Sequence, residues 1–203
     1  MSMRVVTAAL VLLLAGGGAE GSETGQSGAE GLPRSRFPLA VYVAPAADPR
    51  LEAAVRQAAD HWNVLSQELL GLPVFRRVGR PEDAQVVIRL EAGPSPKQMG
   101  ETELHSGEGG VITLPVRIAL SAPSAWGQTA AETLLYQVAA HELGHALGLE
   151  HATDPRSVMC CVRGSVDFHD PVARQAYVDA RRRPDIRSVA PQLRAHYDRF
   201  WSR

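Results

Sequence analysis

Two long stretches place apolar residues at helical spacing, and several shorter ones run as strands do. Leu51, Val55, Ala58, Ala59, Trp62, Leu65 and Leu69 recur at intervals of three and four, so they share one face of a helix. Asp48 supplies an N-cap, Pro49 suits the first helical position, and Gly71 supplies a stop. A second helix is predicted from Thr129, where Thr129 and Glu132 read as a capping box, through Leu134, Leu135, Val138 and Ala139 to Gly148. Strands are predicted over 37–43 (FPLAVYV), 73–78, 84–90 (AQVVIRL) and 111–120 (VITLPVRIAL), with a less regular one near 99–104. The unbroken apolar run Val86-Val87-Ile88 suits a buried strand. Pro115 cannot donate to a ladder, which predicts a bulged or edge strand there. Val189, Leu193, Tyr197 and Phe200 predict a terminal helix, with Pro191 accommodated in its first turn.

The first residues have a different character. Arg4 is followed by an uncharged run from Val5 to Ala15 and then by Gly16-Gly17-Gly18-Ala19, the layout of a secretory signal peptide cut after Ala19. An amphipathic or buried N-terminal helix is the competing reading, but three successive glycines would end it. No Cys follows the run, so a lipid anchor has no attachment point. Residues 20–35, rich in Gly, Ser and Glu, are predicted to be a flexible linker, which leaves one domain at 36–203. An exported or otherwise extracytoplasmic protein is the expectation.

Composition narrows the function classes. The 203 residues are 45% hydrophobic, enough for a core, so a wholly disordered chain is excluded. Two cysteines cannot staple a disulfide scaffold. A formal net charge of −1 gives no electrostatic footprint for nucleic acid. No apolar run approaches the ~20 residues that span a bilayer, so no membrane anchor is predicted. Nothing in the pattern speaks to oligomeric state.

One segment, HELGHALGLEH at 141–151, carries chemistry. His141 and His145 are four apart, so on a helix they stand one turn apart on one face, where both imidazoles reach one ion. Glu142 is placed to face a water on that ion without ligating it, the HExxH arrangement for zinc. A continuing helix would carry His151 away. Gly148 can adopt positive φ, turn the chain back and bring His151 in as third ligand, leaving a fourth position for water.

HELGHALGLEH followed by Ser157-Val158-Met159 resembles the metzincin zinc peptidases, and within them the matrixin branch. Met159, eight residues past His151, stands where that family has its methionine-containing turn, and its implied role is packing beneath the ligands. The resemblance implies an α+β fold: a twisted mixed sheet with helices behind it, the zinc helix at the cleft floor and a small C-terminal subdomain. It implies one catalytic Zn²⁺ on His141, His145 and His151, with Glu142 as general base in peptide-bond hydrolysis. A protein or peptide substrate would lie extended along an edge strand, expected between Gln98 and His105. A non-catalytic protein that uses this scaffold to bind a peptide or partner is the alternative, and hydrolysis of a non-peptide substrate is a weaker third reading.

The chain also departs from the matrixin pattern. A Pro two positions after the turn Met and a Tyr soon after it commonly wall the pocket for the first primed side chain; here the places read Cys160, Cys161, Val162, Arg163. The loop that holds a second zinc in vertebrate matrixins is missing, and His105, the one His in that region, reads as a surface residue. No compact Asp cluster supports a calcium site. Cys160 and Cys161 are open to a vicinal disulfide, to remaining free or to bonding another chain. Arg181-Arg182-Arg183 reads as a solvated loop before Pro184, and His61, His169 and His196 show no partner.

Overall fold

The computed structural model describes residues 27–91, 99–123, 129–162 and 164–203, together with the backbone of Arg4–Leu10. Helix α1 (Pro49–Leu70) forms between the predicted caps. The Asp48 carboxylate accepts from the Arg50 N–H at 2.9 Å, and Gly71 closes the helix at φ 74°. Its apolar face, with Val55, Ala58, Trp62 and Leu65, is buried.

Among the described residues six strands form one sheet: β1 (Arg4–Leu10), β2 (Leu39–Val43), β3 (Phe75–Arg77), β4 (Val86–Glu91), β5 (Gly100–Ser106) and β6 (Ile112–Ser121), ordered β1-β5-β6-β4-β2-β3. Strands β2, β3, β4 and β6 are parallel to their neighbours in that group. Strand β5 runs antiparallel to β6, and β1 antiparallel to β5, so the sheet is mixed as the resemblance implied. Val86, Ile88, Val116, Ile118 and Leu120 point from β4 and β6 into the core, beneath α1 and helix α2 (Ala131–Ala146).

The less regular strand near 99–104 is thus β5; Gln98 lies outside the described residues. Strand β6 is bulged but interior, not an edge. Its register against β5 shifts between Glu103 and His105, and its pairing with β4 begins at Val116, so Pro115 sits where the β4 ladder asks for no N–H. The capping box does not form. Helix α2 starts after Ala130, which offers no side-chain cap, and Glu132 instead reaches Arg50 at 3.3 Å.

Residues 27–35, expected as the end of a flexible linker, are packed into the domain. Leu32 is fully buried, the Gly31 N–H donates to the Gly110 carbonyl at 3.0 Å, and Trp201 Nε1 donates to the Leu32 carbonyl at 3.0 Å. The backbone of Gly110 and Ile112 and side-chain donors of the C-terminal helix give this segment the partners that its composition does not advertise. Residues 11–26 lie outside the described residues.

Two helices complete the chain. Helix α4 (Ala190–Trp201) is the predicted terminal helix, with Pro191 in its first turn and Leu193, Tyr197 and Phe200 buried. Helix α3 (Pro171–Arg182) is capped by the Asp170 carboxylate on the Val172 N–H at 2.9 Å and was not anticipated. It corrects the reading of residues 181–183 as a solvated loop: Arg181 is 3% exposed, on the inner face of α3 one turn past Tyr177. No helix among the described residues is long and apolar enough to cross a membrane.

Candidate metal centre

Helix α2 is held close on both sides where it carries the histidines. Trp62 of α1 donates from Nε1 to the Ala140 carbonyl at 2.9 Å. Gly144 lies between the Trp62 ring and the Met159 thioether, and a Cβ there would overlap the Met159 sulfur. A residue without a side chain therefore lets α1 and the Met159 turn approach the helix that carries His141 and His145. Met159 is fully buried.

The helix ends in a Schellman motif. The Gly148 N–H bonds the His145 carbonyl at 2.8 Å and the Leu149 N–H bonds the Gly144 carbonyl at 3.0 Å, with Gly148 at φ 89°. A Cβ at Gly148 would overlap the backbone carbonyl of Glu30, so the packed N-terminal segment braces the turn that brings His151 back.

His141, His145 and His151 come together, with one ligand atom from each lying within 4.8 Å of the others. His141 Nδ1 is 2.8 Å from the Val158 carbonyl, and His145 Nδ1 is 2.7 Å from the Leu149 carbonyl. A carbonyl only accepts, so both rings carry their proton on Nδ1 and leave a lone pair on Nε2. Those two Nε2 atoms are 3.0 Å apart. Two lone pairs at that distance repel, whereas imidazoles on one tetrahedral zinc have nitrogens about 3.3 Å apart at bond lengths of ~2.0–2.1 Å. The donor set fits a cation.

Electrostatics favour the ligating form. Burial, then the neighbouring histidines, push His141 well below the ordinary histidine range, and burial with His151 pushes His145 down to about 3. Both rings are neutral at pH 7.

Glu142 is fully buried beside this set. Thr102 of β5 donates its hydroxyl to Glu142 Oε2 at 2.6 Å, and Gly100 leaves the space that the carboxylate occupies, since a Cβ there would lie 2.6 Å from Glu142 Oε1. Thr102 and Gly100 were missed by sequence reasoning. A threonine and a glycine in an irregular stretch carry no signal until the register of β5 against β6 aims them at α2.

The remaining candidates separate from the centre. His105 is half-buried with Nε2 3.2 Å from Glu103, outside the histidine cluster. His61 finds Tyr136, with Nδ1 2.7 Å from the hydroxyl. Cys160 and Cys161 are joined as a vicinal disulfide, and Arg163 lies outside the described residues.

Comparison with known proteins agrees with this geometry. The matrixin peptidase family model matches residues 40–170. Human matrix metalloproteinase-16 is 32% identical over 127 residues, covering 55% of this chain and 20% of the relative. Macrophage metalloelastase from Oryctolagus cuniculus is 34% identical over 83 residues, covering 41% of this chain and 14% of that protein. Human neutrophil collagenase is 27% identical over 126 residues, covering 58% and 25%. The chain thus spans about a quarter or less of the length of these relatives. With the family model matched over residues 40–170, which carry strands β3 to β6, the histidine helix and the methionine turn, the chain belongs to the matrixin family.

Proposed function

We propose that the chain is a zinc-dependent endopeptidase, with His141, His145 and His151 as the metal ligands and Glu142 as general base. The observation that carries this reading is the pairing of two Nε2 lone pairs 3.0 Å apart with a buried carboxylate on the next residue of the same helix. Zinc held there would polarise a water and a substrate carbonyl and lower the water's pKa toward about 7. The Val158 and Leu149 carbonyls fix the two ring tautomers, so the helix presents nitrogens already in the ligating state. Glu142 would take the proton from the attacking water and return it to the leaving amine. Thr102 holds the carboxylate by one oxygen from the side of β5. A non-catalytic binder has no use for a carboxylate tethered in this way, which favours the enzyme over that alternative.

Strand β5 would receive an extended peptide by antiparallel pairing. Arg4–Leu10 takes that edge, in register from Arg4 opposite Ser106 to Leu10 opposite Gly100. The same residues form the core of the proposed export leader, so cutting after Ala19 would both release the protein and clear the edge. The relatives' printed names, a collagenase and a metalloelastase among them, support protein or peptide substrates.

A pair of variants tests the mechanism. Glu142→Ala should keep the zinc and lose peptide cleavage by about 10²–10⁴-fold, the usual contribution of general acid–base help. His145→Ala should lose both metal and activity. Glu142→Ala cleaving as fast as the parent while holding zinc would remove the assigned role.

A further inference from the structure

Cys160 and Cys161 are the only cysteines of the chain, so any thiol chemistry it has is confined to the bond between them. The turn that carries them is tied to the histidine cluster at two points. Its Val158 carbonyl accepts from His141 Nδ1 at 2.8 Å. Ala152, the residue after His151, is bonded to the same turn by both of its backbone groups. Its N–H donates to the Met159 carbonyl at 2.8 Å, and its carbonyl accepts from the Val162 N–H at 3.2 Å. Residues 159 and 162 flank the disulfide, which therefore spans the two anchors of Ala152. Cys160 is fully buried against Val166 and Tyr177, whereas Cys161 is half-buried and reachable from solvent.

A covalent bond at this place has a definite effect. Ordering two backbone residues costs conformational entropy of the same size as two backbone hydrogen bonds return, so without the cross-link the hold on Ala152 is close to balance. With it, the two residues are already restricted before the turn forms. Resting on the three-histidine zinc site proposed above, we propose that the Cys160–Cys161 bond is a redox switch on that site. Oxidised, it fixes the turn that sets the His141 tautomer and anchors the residue after His151. Reduced, it lets the turn loosen, and zinc affinity falls. The reductant is a dithiol. One of its thiolates attacks Cys161, the S–S bond breaks, and Cys160 leaves as a thiolate that takes up a proton. The second thiol of the reagent then displaces Cys161 from the mixed disulfide. The protein gains two electrons and two protons, and the reagent ends as a cyclic disulfide. A chain with an export leader suits such a device, since the site would mature only where disulfides form.

The test compares the oxidised chain with the same chain reduced by dithiothreitol while metal-free, then freed of reagent without air and assayed for two thiols. Zinc competition against a chromophoric chelator should give a Kd raised about 10- to 100-fold on reduction, the range that loss of a partner behind a metal ligand costs. Spectra of isotope-labelled histidine in the metal-free chain read the turn without zinc. The His141 Nδ1–H signal should be protected from solvent exchange when the chain is oxidised and lost when it is reduced. Re-oxidation should restore both values. The double variant Cys160→Ala, Cys161→Ala should match the reduced chain and ignore the dithiol; the reversible cycle on the parent covers the case in which that variant does not fold. Equal Kd and equal Nδ1–H protection in the two states would overturn the proposal. So would tighter zinc binding on reduction, which would make the thiols ligands, or free thiols in the air-equilibrated parent. An oxidised chain that binds no zinc defeats the zinc site itself, and the Nδ1–H signal then still decides whether the disulfide holds the turn.

Discussion

Gly148→Ala tests how the third histidine is brought to the metal. Two separate costs act at this position. At φ 89° an L side chain is strained by about 1–2 kcal/mol. The added methyl would also overlap the Glu30 carbonyl, backbone that cannot rotate away, and forced overpacking of this kind costs about 1–3 kcal/mol. The sum is about 2–5 kcal/mol. Gly109→Ala is the control: its φ is 67°, and nothing lies within 4 Å of the added atom, so only the first cost applies. Both variants lose the same unfolded-chain flexibility, which cancels in the comparison. Urea denaturation of the two metal-free variants should therefore separate them by about 1–3 kcal/mol, with m values unchanged. Zinc affinity should fall in Gly148→Ala alone, because the strain is relieved by moving the turn that carries His151. Variants equally stable within about 0.5 kcal/mol, or a Gly148→Ala chain with parental zinc affinity, would refute the bracing of this turn by residue 30.

Metal analysis of the leaderless chain should find about one zinc per molecule, and a second equivalent would contradict the single three-histidine set. Thr102→Val keeps the side-chain shape but removes the donor to Glu142, so cleavage should fall about tenfold with zinc retained; unchanged cleavage would show that the carboxylate is held without it. Retaining Arg4–Leu10 should slow cleavage relative to a chain starting at Glu20, and a synthetic RVVTAAL peptide should inhibit the shorter form competitively. Burial, then Arg199 and Arg203, hold His196 down to about 4. Its folded pKa is below the unfolded value of about 6.5, so its contribution is complete above pH 6.5 and is lost as the pH falls toward 4. The loss is at most about 3 kcal/mol, and His196→Gln should flatten the stability curve over that window.

Local rules sufficed wherever a short stretch of chain determines its own outcome. The caps at Asp48 and Gly71, the stop at Gly148 and the terminal helix all formed as predicted, because capping and φ preference act within a few residues. The histidine cluster was legible for the same reason: the i, i+4 spacing of His141 and His145 and a glycine-enabled return to His151 bring three imidazoles together. Where partners lie far along the chain, tertiary structure decided. Thr102 meets Glu142 only because β5 is registered against β6 beside α2. Residues 27–35 have a linker's composition, yet they order because Gly110 and Trp201 supply their hydrogen bonds. The capping box gave way when Glu132 turned to Arg50. Arg181 shows the contrast most sharply. In a run of three arginines it reads as solvated, because sequence favours exposing a charge. Only the packing of α3 against α2 reveals a guanidinium buried beside Gln137, one helical turn from His141.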